Sequence, residues 1–456
     1  MKTKETHVRE KAKKGKAPGK SPGLAWVVAA DMGFGHKRAV SPLREIAEGD
    51  IISVGENDAA SPMERTLWRR LLYIYESFSR AWSIPVVGRY IFRILDTFLR
   101  IPTVYPLRNL SKTTFQVDLL ESFIEKGLCQ GMLERIKEKR LPIVTSFYAP
   151  AIAADRNGSE KIYCIICDAD LNRVWVAREP SESRIEYFAP CGRAAQRLKA
   201  YGVPDDRIFL TGFPLPPELV GGTEMTTLKS DLGQRLLYLD PRKRFWPRYG
   251  VNVEHFLGAE NCALKETRKL TITYSVGGAG ALKEIGGKIV RSLKEHLLAG
   301  EIRLNLAAGI KEPVMRYFQD VKSEISGSCD NLQVISGKTF EEYIAAFNAA
   351  LRTTDILWTK PSELSFYSAL GMPIVMTPAL GSQETFNRNW LLDIHAGIRQ
   401  ENPDYTHQWL LDLLNKGRLA EAAWSGFLKA RKLGTYRIIE VLQTGTMKRE
   451  LSPIER

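Results

Sequence analysis

Leu24-Ala25-Trp26-Val27-Val28-Ala29-Ala30 runs straight into Asp31-Met32-Gly33-Phe34-Gly35-His36, and helix-compatible residues follow from Lys37. An apolar run, a glycine loop and a helical stretch read as strand, turn and helix, the opening of a parallel βαβ unit. Working outward, apolar strands recur at 141–147, 162–167, 187–189 and 208–211, with a helical pattern at 194–201. A second series opens at 270–276, ends in Gly277, Gly278 and Gly280, and continues near 303–307, 332–335, 356–358 and 373–376. Alternation of this kind predicts an α/β chain with two Rossmann-like, doubly wound domains facing a cleft.

The expected organisation is a basic tail at 1–22, a first domain at 23–220, a linker and insertion at 221–266, a second domain at 267–420, and a C-terminal helix and tail at 421–456. The inserted stretch contains Asp240-Pro241-Arg242-Lys243-Arg244-Phe245-Trp246-Pro247, which fits neither strand series. With 456 residues and 44% apolar content, the chain has material for two cores. It holds no run of eighteen apolar residues, so no bilayer-spanning helix is expected. The first twenty residues carry eight Lys or Arg against two Glu and lack an apolar core, which argues against a secretory signal.

The net charge of +13 points to an anionic partner, either nucleic acid or a membrane surface. Of six cysteines, only Cys164 and Cys167 form a CxxC, and no second ligand pair accompanies them. They read as buried strand residues of a protein in a reducing cytoplasm, and no metal site is expected. Residues 64–100 hold eight aromatic residues and seven Arg against three acids. Leu67, Leu71, Ile74 and Phe78 share one helix face, with Arg65, Arg69 and Arg70 nearby. The segment is either a helical pair packed on the sheet or a membrane-contacting surface, with Trp68, Trp82 and Tyr90 at the headgroup boundary.

Ligands of open α/β sheets bind where strands give way to helix-leading loops. Three loops have suitable composition. Gly33-Phe34-Gly35-His36 allows close backbone approach and carries a His that titrates near neutrality, though it is not a dinucleotide motif. Val276–Ala281 offers amides to a diphosphate. The third stretch runs from Thr359-Lys360-Pro361-Ser362-Glu363-Leu364-Ser365 to Gly381-Ser382-Gln383-Glu384-Thr385-Phe386-Asn387. Asp168-Ala169-Asp170 is the one Asp-x-Asp match and reads as structural.

Taken in order, these stretches resemble the GT-B glycosyltransferases that include monogalactosyldiacylglycerol synthase, processive diacylglycerol glucosyltransferases and the lipid-linked N-acetylglucosaminyltransferase of peptidoglycan synthesis. The likeness is carried by residues 31–39 (DMGFGHKRA), by 167–175 continuing through 187–214, by Gly277–Gly280, and by 359–387 with its Gln383-Glu384-x-x-Asn387. Two positions depart from the pattern. Ser362, Glu363, Leu364 and Ser365 stand where the family has a Gly-Pro-Gly-Thr-like turn, and Ser368 stands where it has a ribose-binding Glu. Three readings stay open: Glu363 takes over the ribose, the donor is not a UDP-sugar, or the site has lost activity.

The resemblance implies an inverting, metal-independent transfer from a nucleotide diphosphate sugar, UDP-sugar favoured, to a membrane lipid hydroxyl such as diacylglycerol. His36 would be the base and Asp31 its orienter. Gly33, Gly35, Gly278, Gly280, Lys360, Ser362, Glu363, Ser365, Gln383, Glu384 and Asn387 would bind the donor. The resemblance favours a cytoplasmic protein held peripherally on an anionic membrane face, with no cofactor and no nucleic-acid partner. A nucleotide-sugar epimerase or hydrolase, or a degenerate membrane-associated scaffold, are the alternatives on the same fold.

Overall fold

Trp26–Ala30 forms β1, and all five of its residues are buried. A strand apolar at every position needs cover on both faces, which a parallel sheet with packed helices supplies. The computed structural model describes residues 23–55, 60–81, 101–103, 105–265, 267–277, 280, 282–325, 330–379, 381–448 and 450, with side chains only as far as Leu71 in 60–81. The basic tail, Gly278, Trp82, Tyr90 and the C-terminal residues 451–456 lie outside the described residues.

The first sheet has six strands, all parallel, in the order β2-β1-β3-β4-β5-β6. Its other members are Ile52–Val54 (β2), Ile143–Thr145 (β3), Ile162–Ile165 (β4), Ile185–Phe188 (β5) and Ile208–Phe209 (β6). The second sheet comprises Leu270–Ser275 (β7), Ile302–Gly309 (β8), Leu332–Ser336 (β9), Ile356–Thr359 (β10), Ile374–Met376 (β11) and Gly397–Arg399 (β12). It is also six-stranded and parallel, in the order β12-β11-β10-β7-β8-β9. These are the two Rossmann-like units expected from the alternation. β2 and β12 were not anticipated. Each is a three-residue edge strand, too short to leave an apolar run.

Strand order decides where ligands can sit. In the first sheet the chain goes from β1 outward to β2, then returns past β1 to β3, so order reverses between β1 and β3. In the second it goes from β7 to β8 and β9, then returns to β10 on the other side of β7. Loops diverge at such reversals and leave a crevice at the carboxyl ends of the strands. The first reversal is flanked by the loop at Asp31–Gly33 and by Ser146, the second by Gly277 and Lys360.

The stretch 221–266 contains the helices Thr226–Tyr238 and Trp246–Leu257. They pack on the second domain for identifiable reasons. Arg235, 2% exposed, donates to the carbonyls of Thr354 at 2.7 Å and Leu370 at 2.8 Å, so its charge is buried against backbone dipoles. Asp240 accepts from the amides of Arg244, Phe245 and Trp246 at 2.6, 2.9 and 2.9 Å, satisfying donors at the start of the second helix. The last helix, Gly434–Thr444, returns toward the first domain, where Thr435 Oγ1 donates to Leu215 O at 2.6 Å.

Candidate active site

The loop after β1 places His36 inside a seven-residue helix, Phe34–Val40, rather than just before one. Gly33 makes that turn possible, since its φ of 107° lies where side chains are strained. The His36 ring is half-buried, edge-on to Phe147 with centroids 4.9 Å apart. Its Nδ1 lies 2.7 Å from Ser146 O, and Ser146 Oγ donates to His36 O at 2.8 Å. A carbonyl only accepts, so Nδ1 carries the hydrogen and Nε2 carries the lone pair. Burial is the largest influence on this imidazole and pushes its pKa below the ordinary value, while the Ser146 bond and the Glu363 charge pull the other way.

Asp31 does not have the orienting position expected for it. Its carboxylate pairs with Lys37 at 2.8 Å, and the Nδ1 bond goes to Ser146. A loop that turns through Gly33 separates Asp31 from the ring, whereas β3 ends beside it.

The second reversal brings Gly277 against Lys360. A Cβ on Gly277 would stand 2.5 Å from Lys360 Cε, so a larger residue would push the lysine chain out of this position. The Gly280 amide donates to Gly277 O at 2.7 Å, closing a tight turn, and Gly280 packs toward Val314. Lys360 Nζ in turn reaches Glu384 Oε1 at 2.8 Å, and Gln383 and Glu384 lie in the first turn of the helix Ser382–Asp393.

Glu363 crosses to the first domain. Its Oε1 accepts from Arg38 Nε at 3.2 Å, and its Oε2 would lie 3.2 Å from a Cβ on Gly35. The Glu363 carboxylate is thus held by a buried guanidinium. Ser362 precedes the 3₁₀ helix Glu363–Leu370 as its cap residue and is partly exposed. Ser365 differs from expectation: it is 0% exposed, and its Oγ has no hydrogen-bond partner among the described residues. In this arrangement it is sealed from a diphosphate.

Asn387 also departs from a sugar-facing role. Its Oδ1 accepts from Ala169 N at 2.7 Å, and its Nδ2 donates to Asp168 Oδ1 at 2.8 Å and to Pro361 O at 3.2 Å. The carboxamide is fully buried and spent on joining the two domains. Asp168, at the end of β4, is pushed up to about 6, first by burial, with Glu363 and Glu384 adding to the rise against the Asn387 bond and Lys360.

Sequence reasoning missed Arg38, Ser146 and the part played by Asp168. Arg38 and Glu363 are 325 positions apart, and nothing in either neighbourhood marks them as a pair. Trp68 is corrected as well. It is 5% exposed and packs on Phe147 and Gly55, so it cannot sit in a headgroup layer. Glu64 fixes this end of the helix Pro62–Ala81 by accepting from Gly131 N at 2.8 Å.

Cys164 and Cys167 are buried and free, as the strand reading expected, and burial raises both thiols. Among the described residues, no cluster of acids, His and Cys suits a metal ion, and no helix is long and apolar enough to cross a membrane.

No protein-family model matches the chain, and neither does any curated protein. Solved structures similar to it include the S. aureus MnaA–UDP co-structure, at 11% identity and a TM-score of 0.48, covering 94% of this chain and 98% of that one. UDP-GlcNAc 2-epimerase from Neisseria meningitidis bound to UDP-GlcNAc is similar at 11% identity and 0.46, covering 92% and 99%. Acinetobacter baumannii MurG is similar at 13% identity and 0.39, covering 81% and 96%. The assignment of two Rossmann-like domains rests on this chain's own strand order and register.

Proposed function

We propose that the protein binds a nucleotide diphosphate sugar between its domains and transfers the sugar, with inversion, to a lipid hydroxyl at a membrane face. The observation that carries this reading is the meeting of the two reversal points, one bearing His36 and the other the Gly277–Lys360–Glu384 group. His36 Nε2 takes the acceptor's hydroxyl proton as that oxygen bonds to the anomeric carbon. The bond from the anomeric carbon to the diphosphate breaks, and the diphosphate leaves with the electron pair toward Lys360 and the Gly277–Gly280 turn. The lipid acceptor is supported by exposed Met63, Tyr105 and Leu107, and by exposed Arg65, Arg69 and Arg70 on the helix Pro62–Ala81.

Calorimetry with UDP and UDP-sugars tests the donor site, and mass spectrometry of lipids from an expressing host tests the transfer. Micromolar donor binding and a new glycolipid are expected. A wild type that binds neither nucleotide nor nucleotide sugar ends the enzyme reading in favour of a scaffold.

A second reading is favoured by one observation. Asp168 interacts with the carboxylates of Glu363 and Glu384, and Glu363 also acts on His36, which is acid–base capacity beyond a single transfer and suits an epimerase or hydrolase on UDP-sugars. An epimer or free sugar formed from the donor with no acceptor present, seen by NMR, would select it.

A further inference from the structure

Arg38 belongs to the first domain, yet its guanidinium lies in a socket of the second. It is 2% exposed, sits 4.9 Å from the ring centre of Phe347 and 5.9 Å from that of Tyr367, and donates to Glu363. Nη1 of the same group is buried with no hydrogen-bond partner among the described residues, and Tyr367, Glu363 and Tyr343 are the groups that act on its charge, so the seat combines ring faces, one carboxylate and phenol hydroxyls. The helix that carries Arg38 has seven residues and also carries His36, about 3 Å along its axis. Glu363 opens the 3₁₀ helix Glu363–Leu370, directly after the loop Lys360-Pro361-Ser362 that follows β10. One ion pair therefore ties the short helix of the base to the loop of the donor site. Two other interdomain pairs among the described residues, Arg44 with Glu341 (side chains 44% and 59% exposed) and Arg193 with Asp393 (29% and 65%), are more open to water and exert less hold.

We propose that Arg38 is a positioning residue, which sets the register of the two domains by seating in the Phe347–Tyr367–Glu363 socket and so fixes where His36 stands relative to the donor. This rests on the donor-site reading above. Arg38 does not touch the reacting atoms; it acts through the helix it shares with His36. A lysine in its place keeps the charge but has no planar face to stack on Phe347 and Tyr367, so it restores register only in part.

The experiment joins a distance to a rate. Spin labels at Lys137→Cys and Lys294→Cys, exposed positions on the two domains, report interdomain separation in the full chain. Arg38→Met is expected to lengthen and broaden the distance distribution, Glu363→Gln to do the same, and Arg38→Lys to recover part of the wild-type distribution. In the transfer assay, Arg38→Met lowers kcat by roughly 10- to 100-fold with donor KM within about threefold, since a misplacement near 1 Å costs about that much. If Arg38→Met does not fold, Glu363→Gln, which keeps the volume, carries the measurement.

Folded variants with unchanged distances overturn the proposal, even where the wild type binds nucleotide. Changed distances in a protein that never binds nucleotide leave the register role of Arg38 standing and remove the donor-site reading, and with it the effect on the donor. A fall confined to KM with kcat intact also overturns it.

Discussion

His36 and Ser146 hold each other twice: Nδ1–H of the imidazole meets the Ser146 carbonyl at 2.7 Å, and the Ser146 hydroxyl meets the His36 carbonyl at 2.8 Å. The two residues come from the ends of β1 and β3, the strands between which the first sheet changes direction. The same carbonyl also lies 3.6 Å from Cys167 Sγ, so β4 joins the arrangement. Fixing Nδ1 as the protonated nitrogen fixes Nε2 as the basic one.

On the proposed reading, His36→Ala lowers turnover by about 10²–10⁴-fold and leaves donor affinity nearly intact. The neutral ring is the active form, and burial lowers its pKa from 6.5. The rate is therefore expected to fall with a midpoint below pH 6.5, as the lowered pKa is crossed. Transfer rates from pH 5 to 8 check this; a midpoint at or above pH 6.5 contradicts it.

Asp168 works in the opposite direction. Its pKa rises from 3.8 to about 6, so the folded chain holds a proton that the unfolded chain has lost. That contribution is fully present below pH 3.8 and is lost as pH rises through about 6. Above pH 6 the buried charge costs stability. Asp168→Asn keeps an acceptor for Asn387 without that charge, and is expected to raise the melting temperature at pH 8 more than at pH 5. An equal gain at both pH values would mean that the titration of Asp168 is not the cause.

How far the sequence reached follows from what each feature leaves behind in it. The buried strands are legible as mainly apolar runs, clearest at Trp26–Ala30 and Ile162–Ile165, which carry no charged residue, and less so at Leu270–Ser275, where Thr and Ser intervene. Edge strands such as Gly397–Arg399 have one buried neighbour and no such signature. The loops at Gly33 and Gly277 were legible because glycines cluster where a strand turns into a helix, and at Gly33 the φ of 107° favours glycine. Pairings across the domain gap were not, because Arg38–Glu363 and Asn387–Asp168 depend on how the two sheets meet. Asn387 was misread for that reason: an amide near a donor loop looks like a sugar ligand until its partners are known.

Asn387→Ala strands the buried Ala169 amide and removes a donor from the half-buried Asp168. Each lost partner costs about 1–3 kcal/mol, so the variant is expected to unfold at clearly lower urea concentration than wild type. Asn387→Asp is the sharper version. It sets a second carboxylate against Asp168, and the like charges repel, so its deficit should be larger at pH 8 than at pH 5. A deficit that does not vary with pH would place Asn387 away from the Asp168 charge.

On the proposed reading, Lys360 and Glu384 separate the two ends of the donor. Their charged atoms are 2.8 Å apart, with side chains 27% and 15% exposed, so both are within reach of a ligand entering over Gly277. Lys360 stands nearer the glycine turn, where the diphosphate would lie, and Glu384 stands on the first turn of the next helix, toward the sugar. Glu384→Ala takes a charged acceptor from a sugar hydroxyl, a loss of about 1.5–3 kcal/mol, or roughly 10- to 150-fold in Kd. That loss should appear with the nucleotide sugar and not with UDP, which has no sugar hydroxyls beyond its ribose. Lys360→Met removes a cation and leaves the Glu384 carboxylate facing the diphosphate, so it should weaken UDP and UDP-sugar alike. Titrating both ligands into both variants by calorimetry gives four affinities. If Glu384→Ala weakens UDP as much as the nucleotide sugar, the carboxylate acts through Lys360 on the phosphates, and the sugar must be bound elsewhere.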